Sequence, residues 1–236
     1  MSKLKKLRYA LSSFVNEDEH NVGRFFRGLN EHHSRIEVQH RLMKLLQADI
    51  AVINLWTEYR YKGYMYLKKS QRHKLYKNLQ LIAQDFERYR AEHEITNEQL
   101  LEQIANMGIA ARPEVARAKL LMAMMAYFAP TRGVYEYRAS SSFGRLLRDP
   151  AQEKLVGDCN QIVTLYIYLY SRYFDLSDLS IRLFPEHVAL HFQGIDIEAT
   201  TGSFANYTGK KDAQLLPIEE IVSVNLLDTT DEHFAK

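Results

Sequence analysis

Between residues 35 and 94 the apolar positions recur with the period of an α-helix, and no proline interrupts them. One stripe comprises Val38, Leu42, Leu45, Leu46, Ile50, Ile53 and Trp56, and a second comprises Leu75, Leu79, Leu81, Ile82 and Phe86. Spacings of three, four and seven residues place each stripe on one face of a helix. Gly63 lies between the stripes and predicts an interruption there. We therefore expect two long amphipathic helices.

Two shorter helices are predicted before residue 130. Thr96 and Gln99 have the spacing of a capping box, which marks the start of a helix. Pro113 suits the first turn of another helix, because its missing N–H would be unpaired there anyway. Residues 120–128 are apolar on nearly every face, which is typical of a helix buried in a core, and Pro130 ends it.

After residue 130 the pattern changes. An apolar run over residues 162–174 is long enough for a helix. Residues 179–183, 187–192 and 195–200 then have the length and composition of strands, with Gln193-Gly194 as a tight turn between the last two. The predicted fold class is α+β, with a basic helical region over residues 1–130 and a helix-plus-antiparallel-sheet domain over residues 131–236.

The composition excludes several classes of protein. The 236 residues are 46% hydrophobic and 25% charged, which is globular composition and not the signature of disorder. No apolar run approaches the roughly 18 residues of a membrane span, and no continuous apolar segment follows the basic residues 3–8, as a secretory signal would require. Cys159 is the only cysteine, which excludes an internal disulfide and a cysteine-rich metal cluster. We predict a cytoplasmic protein with no membrane span.

Charge is distributed unevenly along the chain. Residues 1–90 carry 18 Lys and Arg against nine Asp and Glu, whereas residues 91–236 carry 13 against 20. Over residues 60–77 basic side chains alternate with tyrosines and no acidic residue occurs, a combination that can bind phosphates and stack on bases. Because no nucleic-acid motif accompanies this segment, a helix whose tyrosines pack inward is the favoured interpretation, and nucleic-acid binding is the weaker alternative.

Candidate chemistry begins at Cys159, in the segment Gly157-Asp158-Cys159-Asn160-Gln161, where the predicted helix of the second half should start. A cysteine at this position faces the positive end of the helix dipole and unpaired backbone N–H groups, which favour the nucleophilic thiolate. The same N–H groups can stabilise an oxyanion. Such a nucleophile still needs a base and a group that orients the base.

His187 is the candidate base, because it lies at the start of a predicted strand. Asp196 and Glu198 lie on the next strand, across the turn. The hairpin aligns His191 with Asp196, so His187 falls opposite the end of the second strand. This register favours Glu198 or Thr200 over Asp196 as the neighbour of His187.

Three short motifs in this order resemble those of the transglutaminase-like superfamily: Gly157-Asp158-Cys159, Pro185-Glu186-His187-Val188 and Ile197-Glu198-Ala199-Thr200. That family has a papain-like Cys–His–Asp arrangement. The resemblance covers about residues 135–228 and implies a transglutaminase-like, papain-like fold for the second domain. It also implies that Cys159 is the nucleophile, that His187 is the general base and acid, and that Glu198 is the orienting carboxylate.

Zinc binding is a competing interpretation of some of the same residues. Side chains of the types that bind zinc are those of Cys159, His187, His191 and Asp196. The two histidines are four residues apart on a strand, so their Cα atoms are about 13 Å apart at ~3.3 Å per residue. One zinc ion with bonds of about 2 Å can hardly take both. We therefore expect no metal and no cofactor.

The function predicted from these residues is thiol-dependent acyl chemistry on the amide bonds of a protein or peptide substrate. Hydrolysis by a cysteine peptidase or amidase is the default. Transfer of the acyl group to an amine, as in a transglutaminase, is one alternative, and a catalytically inactive transglutaminase-like binding scaffold is another. The helical half is a candidate surface for a protein partner.

Overall fold

The computed structural model describes Tyr9, residues 12–140 and residues 142–228. The remaining residues, which include the outer ends of the two predicted regions, lie outside the described residues. The helices are α1 Glu17–Gly28, α2 Arg35–Arg60, α3 Lys69–Glu92, α4 Asn97–Asn106, α5 Val115–Phe128, α6 Phe143–Leu146, α7 Cys159–Ser171 and α8 Ile221–Leu227. The strands are β1 Tyr135–Tyr137, β2 Leu155–Gly157, β3 Leu179–Phe184, β4 His187–Phe192, β5 Ile195–Glu198, β6 Ser203–Ala205 and β7 Gln214–Pro217. The fold is mixed α+β with a helical first half, as predicted.

The larger sheet has five antiparallel strands in the order β6-β5-β4-β3-β7. Strand β4 is central, and its Val188, Ala189 and Leu190 are all buried. A separate parallel pair joins β1 to β2 and places Tyr137 opposite Gly157, two residues before Cys159. This pair was not predicted, because strands of three residues are too short to carry a periodic signal.

The predicted hairpin between β4 and β5 is confirmed. Gln193 and Gly194 have φ angles of 45° and 89°. Two central residues in the left-handed region are what a type I′ turn requires, and such turns match the twist of the flanking strands. His191 pairs with Asp196, which is the register expected from the sequence.

The long helices follow the two apolar stripes. Helix α2 bends at Asp49, whose Oδ1 accepts the N–H groups of Ala51 and Val52 and so caps the second part of the helix. Helix α4 begins with the predicted capping box, in which the Thr96 hydroxyl accepts the N–H of Gln99 and the Gln99 side chain accepts the N–H of Thr96.

The expected start of helix α5 at Pro113 was wrong. The helix begins at Val115, and Glu114 is the N-cap. The carboxylate of Glu114 accepts the N–H groups of Ala116 and Arg117, which satisfies two backbone donors that proline has no side-chain oxygen to accept.

One hydrophobic core includes residues from both halves of the chain. Helix α7 lies at its centre, with residues 162–170 all buried, and packs against α2 on one side and β4 on the other. The boundary at residue 130 remains a prediction. Over the described ranges, no helix combines the length and the apolar character needed to cross a lipid bilayer.

The basic segment over residues 60–77 contributes several side chains to the interior. Arg72 and Tyr76 are buried, and Lys62 is only 8% exposed. Arg72 makes a two-pronged ion pair with Glu19, with Nε–Oε1 and NH2–Oε2 distances of 2.7 and 3.0 Å, and its guanidinium lies over the Tyr59 ring. The favoured interpretation, a helix whose tyrosines pack inward, is therefore only partly right: Tyr76 is buried, but Tyr61 and Tyr66 are exposed and lie between α2 and α3. The burial of Arg72 was not predicted. Nucleic-acid binding stays the weaker alternative.

Breaking the buried ion pair should destabilise the protein strongly. Glu19 and Arg72 have fully buried side chains, so Glu19→Gln leaves a buried guanidinium without its counter-charge and should lower the free energy of unfolding by about 3–5 kcal/mol. Glu220→Gln removes one partner of the exposed Arg35–Glu220 pair and should cost less than about 1 kcal/mol. Urea denaturation of both variants measures the difference, and equal losses would contradict the assignment.

Candidate active site

Cys159 is the first residue of α7, and the residues around it fix the start of the helix. The Asp158 side chain accepts the N–H groups of Asn160 and Gln161, while the Gln161 side chain accepts the N–H of Asp158, which completes a capping box. The N–H of Cys159 takes no part in this box. Cys159 is 8% exposed, and it lines a cleft.

The imidazole of His187 connects Cys159 to Glu198. Its Nε2 lies 2.8 Å from Oε2 of Glu198. Hydrogen bonding with the Cys159 side chain, and then with Glu198, raises the pKa of His187 to about 10, although burial acts in the opposite direction. Because Glu198 occupies Nε2, Nδ1 is the ring nitrogen left for the sulfur.

The geometry of the β4–β5 hairpin explains why Glu198 reaches His187. Continuing the observed register places Glu198 opposite Ala189, so it is diagonal to His187. Diagonal positions in antiparallel strands are about 7–8 Å apart, within reach of a long side chain. Thr200, the other neighbour that the register allowed, lies beyond the last residue of β5.

Tyr207 holds the second oxygen of the Glu198 carboxylate. Its hydroxyl donates to Glu198 Oε1 at 2.5 Å, and its ring makes an edge contact with Phe184, whose ring in turn lies 5.9 Å from that of His187. Sequence reasoning missed Tyr207. It follows β6 in an irregular segment, where no spacing rule indicates which strand a side chain will contact.

Asp196 belongs to a neighbouring cluster and not to the His187 pair. Its Oδ1 lies 3.1 Å from Arg182 Nε and 2.8 Å from His191 Nδ1, and its Oδ2 accepts the N–H of Tyr207. Burial raises the pKa of Asp196, but the hydrogen bonds from His191, Tyr207 and Arg182 outweigh burial and lower it. The two histidines considered as zinc ligands therefore bind different carboxylates.

Cys159 and His187 line a cleft of about 570 Å³. This volume lies within the range of about 300–1,000 Å³ found for small-molecule sites. The lining residues lie between Tyr137 and Asp228, so in the described part of the chain the helical half contributes none of them. Among the described residues, the cleft is therefore built by the second half of the protein.

Tyr137 is a second cleft residue that the sequence did not single out. It ends β1 beside Gly157, and its side chain is largely exposed. Burial, followed by the negative charges of Cys159 and Asp158, raises the pKa of Tyr137, so its hydroxyl stays protonated and can donate a hydrogen bond near the sulfur.

The cleft thus brings together a sulfur at a helix N-terminus and an imidazole, and the imidazole is bound to the carboxylate of Glu198. This combination can generate a nucleophile, move a proton and hold the imidazole in one orientation. Comparison with protein families, with curated proteins and with solved structures found no match to this chain.

Removing the charge of Glu198 should lower the pKa of His187. In Glu198→Gln the amide cannot stabilise the imidazolium as a carboxylate does, so we expect a decrease of about one to three pKa units. An NMR titration of the His187 ring protons measures it. Glu186→Gln is the matched control, because it removes an exposed carboxylate beside His187 in the chain that makes no hydrogen bond with the ring. A larger effect in the control would contradict the assigned pairing.

Proposed function

We propose that this protein cleaves amide bonds in a protein or peptide substrate, as a cysteine peptidase or amidase, with Cys159 as the nucleophile. The observation that carries the proposal is that Cys159 and His187 line one cleft, while Nε2 of His187 lies 2.8 Å from Oε2 of Glu198. We also propose that residues 135–228 have a transglutaminase-like, papain-like fold. The helix that begins at Cys159, followed by antiparallel strands carrying His187 and Glu198, supports this.

In the proposed reaction, the Cys159 thiolate attacks the carbonyl carbon of the amide and forms a carbon–sulfur bond, while the π electrons of the carbonyl move to its oxygen. When the tetrahedral intermediate collapses, the carbon–nitrogen bond breaks and the leaving amine takes a proton from the His187 imidazolium. A water molecule then attacks the thioester, with His187 accepting its proton, and the thiolate is released. Glu198 keeps the imidazole oriented through both steps.

In this proposal two donors stabilise the oxyanion. The Cys159 N–H lies at the positive end of the α7 dipole and makes no hydrogen bond with the described residues. The Tyr137 hydroxyl is the second donor, because Tyr137 lines the same cleft and is protonated at neutral pH. The sequence alone assigned no residue as this second oxyanion donor.

Hydrolysis is favoured over transfer to an amine by the exposure of the cleft. Glu186 and Asp212 on its rim and most of the Tyr137 side chain are exposed, so water can reach a thioester formed at Cys159. Transferases must keep water away from such an intermediate. The inactive scaffold remains the alternative that the reactivity of Cys159 tests.

Cys159 should react with iodoacetamide at pH 6 about tenfold or more faster than a free cysteine thiol, which has a pKa of about 8.5 and is almost wholly protonated there. Because Cys159 is the only cysteine, the whole signal reports on it. His187→Ala should remove the acceleration. His191→Ala is the matched control, since His191 lies on the same strand and binds Asp196, and the acceleration should persist. A wild-type rate equal to that of a free thiol would favour the scaffold.

Tyr137→Phe should slow acylation by about 10²–10³-fold, which is typical for the loss of one oxyanion donor. The pre-steady-state burst of nitrophenolate from 4-nitrophenyl acetate measures acylation. Tyr61→Phe removes an equally exposed hydroxyl from the helical half and should leave the burst rate unchanged, while Cys159→Ala should abolish the burst. An unaltered burst in Tyr137→Phe would exclude this hydroxyl as the donor.

A further inference from the structure

The cleft beside Cys159 is lined by acidic side chains, and in the part of the chain that the structure describes neither lysine nor arginine lines it. Its carboxylates belong to Asp158, Glu186, Asp212 and Asp228. They come from the start of α7, the turn between β3 and β4, the segment before β7 and the residue after α8. Four separate segments therefore each bring a carboxylate to one space, in which the cationic side chain among the described lining residues is the His187 imidazolium, itself paired with Glu198.

Lysines close to the cleft offset this charge only in part, and Lys211 precedes the cleft residue Asp212 in the chain. Lys62 interacts electrostatically with Asp158 and Asp228, but it is buried behind the cleft, where its Nζ donates to the backbone oxygen of Asn225 at 2.9 Å. Lys210 lies over the Tyr207 ring, in an adjoining depression that shares Glu186 and His187 with the cleft.

The carboxylates differ in accessibility. Asp158 is buried as the helix cap, and Asp228 is half-buried and accepts a hydrogen bond from the Asn160 side chain at 3.0 Å. Glu186 and Asp212 are exposed at the rim, where an incoming group meets them first. Leu183 and Val224 supply apolar surface within the same cleft. An apolar wall beside exposed carboxylates suits a side chain with a methylene stem and a cationic end.

We propose that the cleft selects peptide substrates that carry a lysine or arginine side chain close to the amide bond that is attacked. The proposal rests on the proposed function, because it assigns the substrate class of the same cleft. Glu186 and Asp212 determine this specificity through the charge that they place at the rim. Fields focused in a cleft with an excess of one sign of charge change association rates by about 10–10³-fold.

The rates at which charged reagents modify Cys159 test the proposal without a known substrate. Three methanethiosulfonates are compared at pH 7.5: a neutral methyl reagent, a cationic trimethylammonium-ethyl reagent and an anionic sulfonatoethyl reagent. In each reaction the thiolate attacks the sulfenyl sulfur, a disulfide forms and methanesulfinate leaves. Each rate is divided by that of N-acetylcysteine amide. We expect the cationic-to-anionic ratio to be about tenfold or more at low ionic strength and to fall as salt is added.

Two double variants test whether the charge preference arises from the carboxylates at the rim. Glu186→Gln combined with Asp212→Asn should lower the ratio about threefold or more, because the rim loses two negative charges. Glu94→Gln combined with Glu102→Gln changes the net charge equally at exposed positions outside the cleft and should leave the ratio unchanged. A wild-type ratio equal to that of the free thiol, or one insensitive to both salt and the rim variant, would overturn the proposal.

The neutral reagent separates this proposal from the proposed function. If the neutral reagent reacts faster with Cys159 than with the free thiol, while the cationic-to-anionic ratio equals that of the free thiol, Cys159 is activated and the cation preference is wrong. If it reacts no faster than with the free thiol while the ratio stays high, the cleft prefers cations and the activated nucleophile is wrong. The salt dependence of the wild-type protein decides the charge effect even where a variant fails to fold.

Discussion

The burial of helix α7 is the constraint on which the rest of the structure depends. Its body is enclosed between α2 and β4, so its axis is fixed by the core, and its first residue must emerge at the end of the sheet where β4 begins. That position places Cys159 beside His187. Burial also makes the unpaired N–H groups at the start of the helix costly, and the Asp158–Gln161 capping box satisfies those that the nucleophile does not use. Core packing, more than any contact of the sulfur itself, thus determines the geometry of the site.

A continuous set of polar contacts along the sheet then fixes the imidazole. Glu198 binds His187 with one oxygen and Tyr207 with the other, and the N–H of Tyr207 binds Asp196, which is held in turn by Arg182. Each carboxylate has a partner on both oxygens, so neither can rotate without leaving a buried polar group unpaired. The two carboxylates of β5 have different roles for this reason: Glu198 faces the site, and Asp196 anchors the residue that positions Glu198.

Sequence could predict those features that depend on local periodicity and turn chemistry. The helix at Cys159, the Gln193-Gly194 turn and the pairing of His191 with Asp196 all follow from patterns a few residues long. Contacts between distant segments could not be predicted in this way. Tyr137 and Tyr207 reach the site from short or irregular segments, and the ion pair of Glu19 with Arg72 joins residues 53 positions apart, where a basic run suggested a surface. Periodicity identifies which face of an element is buried, and it contains no information on which distant side chain meets that face.

The described residues of the helical half support the cleft without lining it. Glu58 on α2 accepts the N–H groups of Phe143 and Gly144, in the segment between β1 and β2, and Lys62 donates to the backbone of Asn225 on α8. Burial raises the pKa of Glu58 to about 7 even though these hydrogen bonds and Lys62 oppose it. Leaving such buried groups unpaired costs about 1–3 kcal/mol each. Helix α2 and the residues just after it therefore hold both the segment leading to Cys159 and helix α8, so the change of pattern at residue 130 marks a change of secondary structure across which the supporting contacts run.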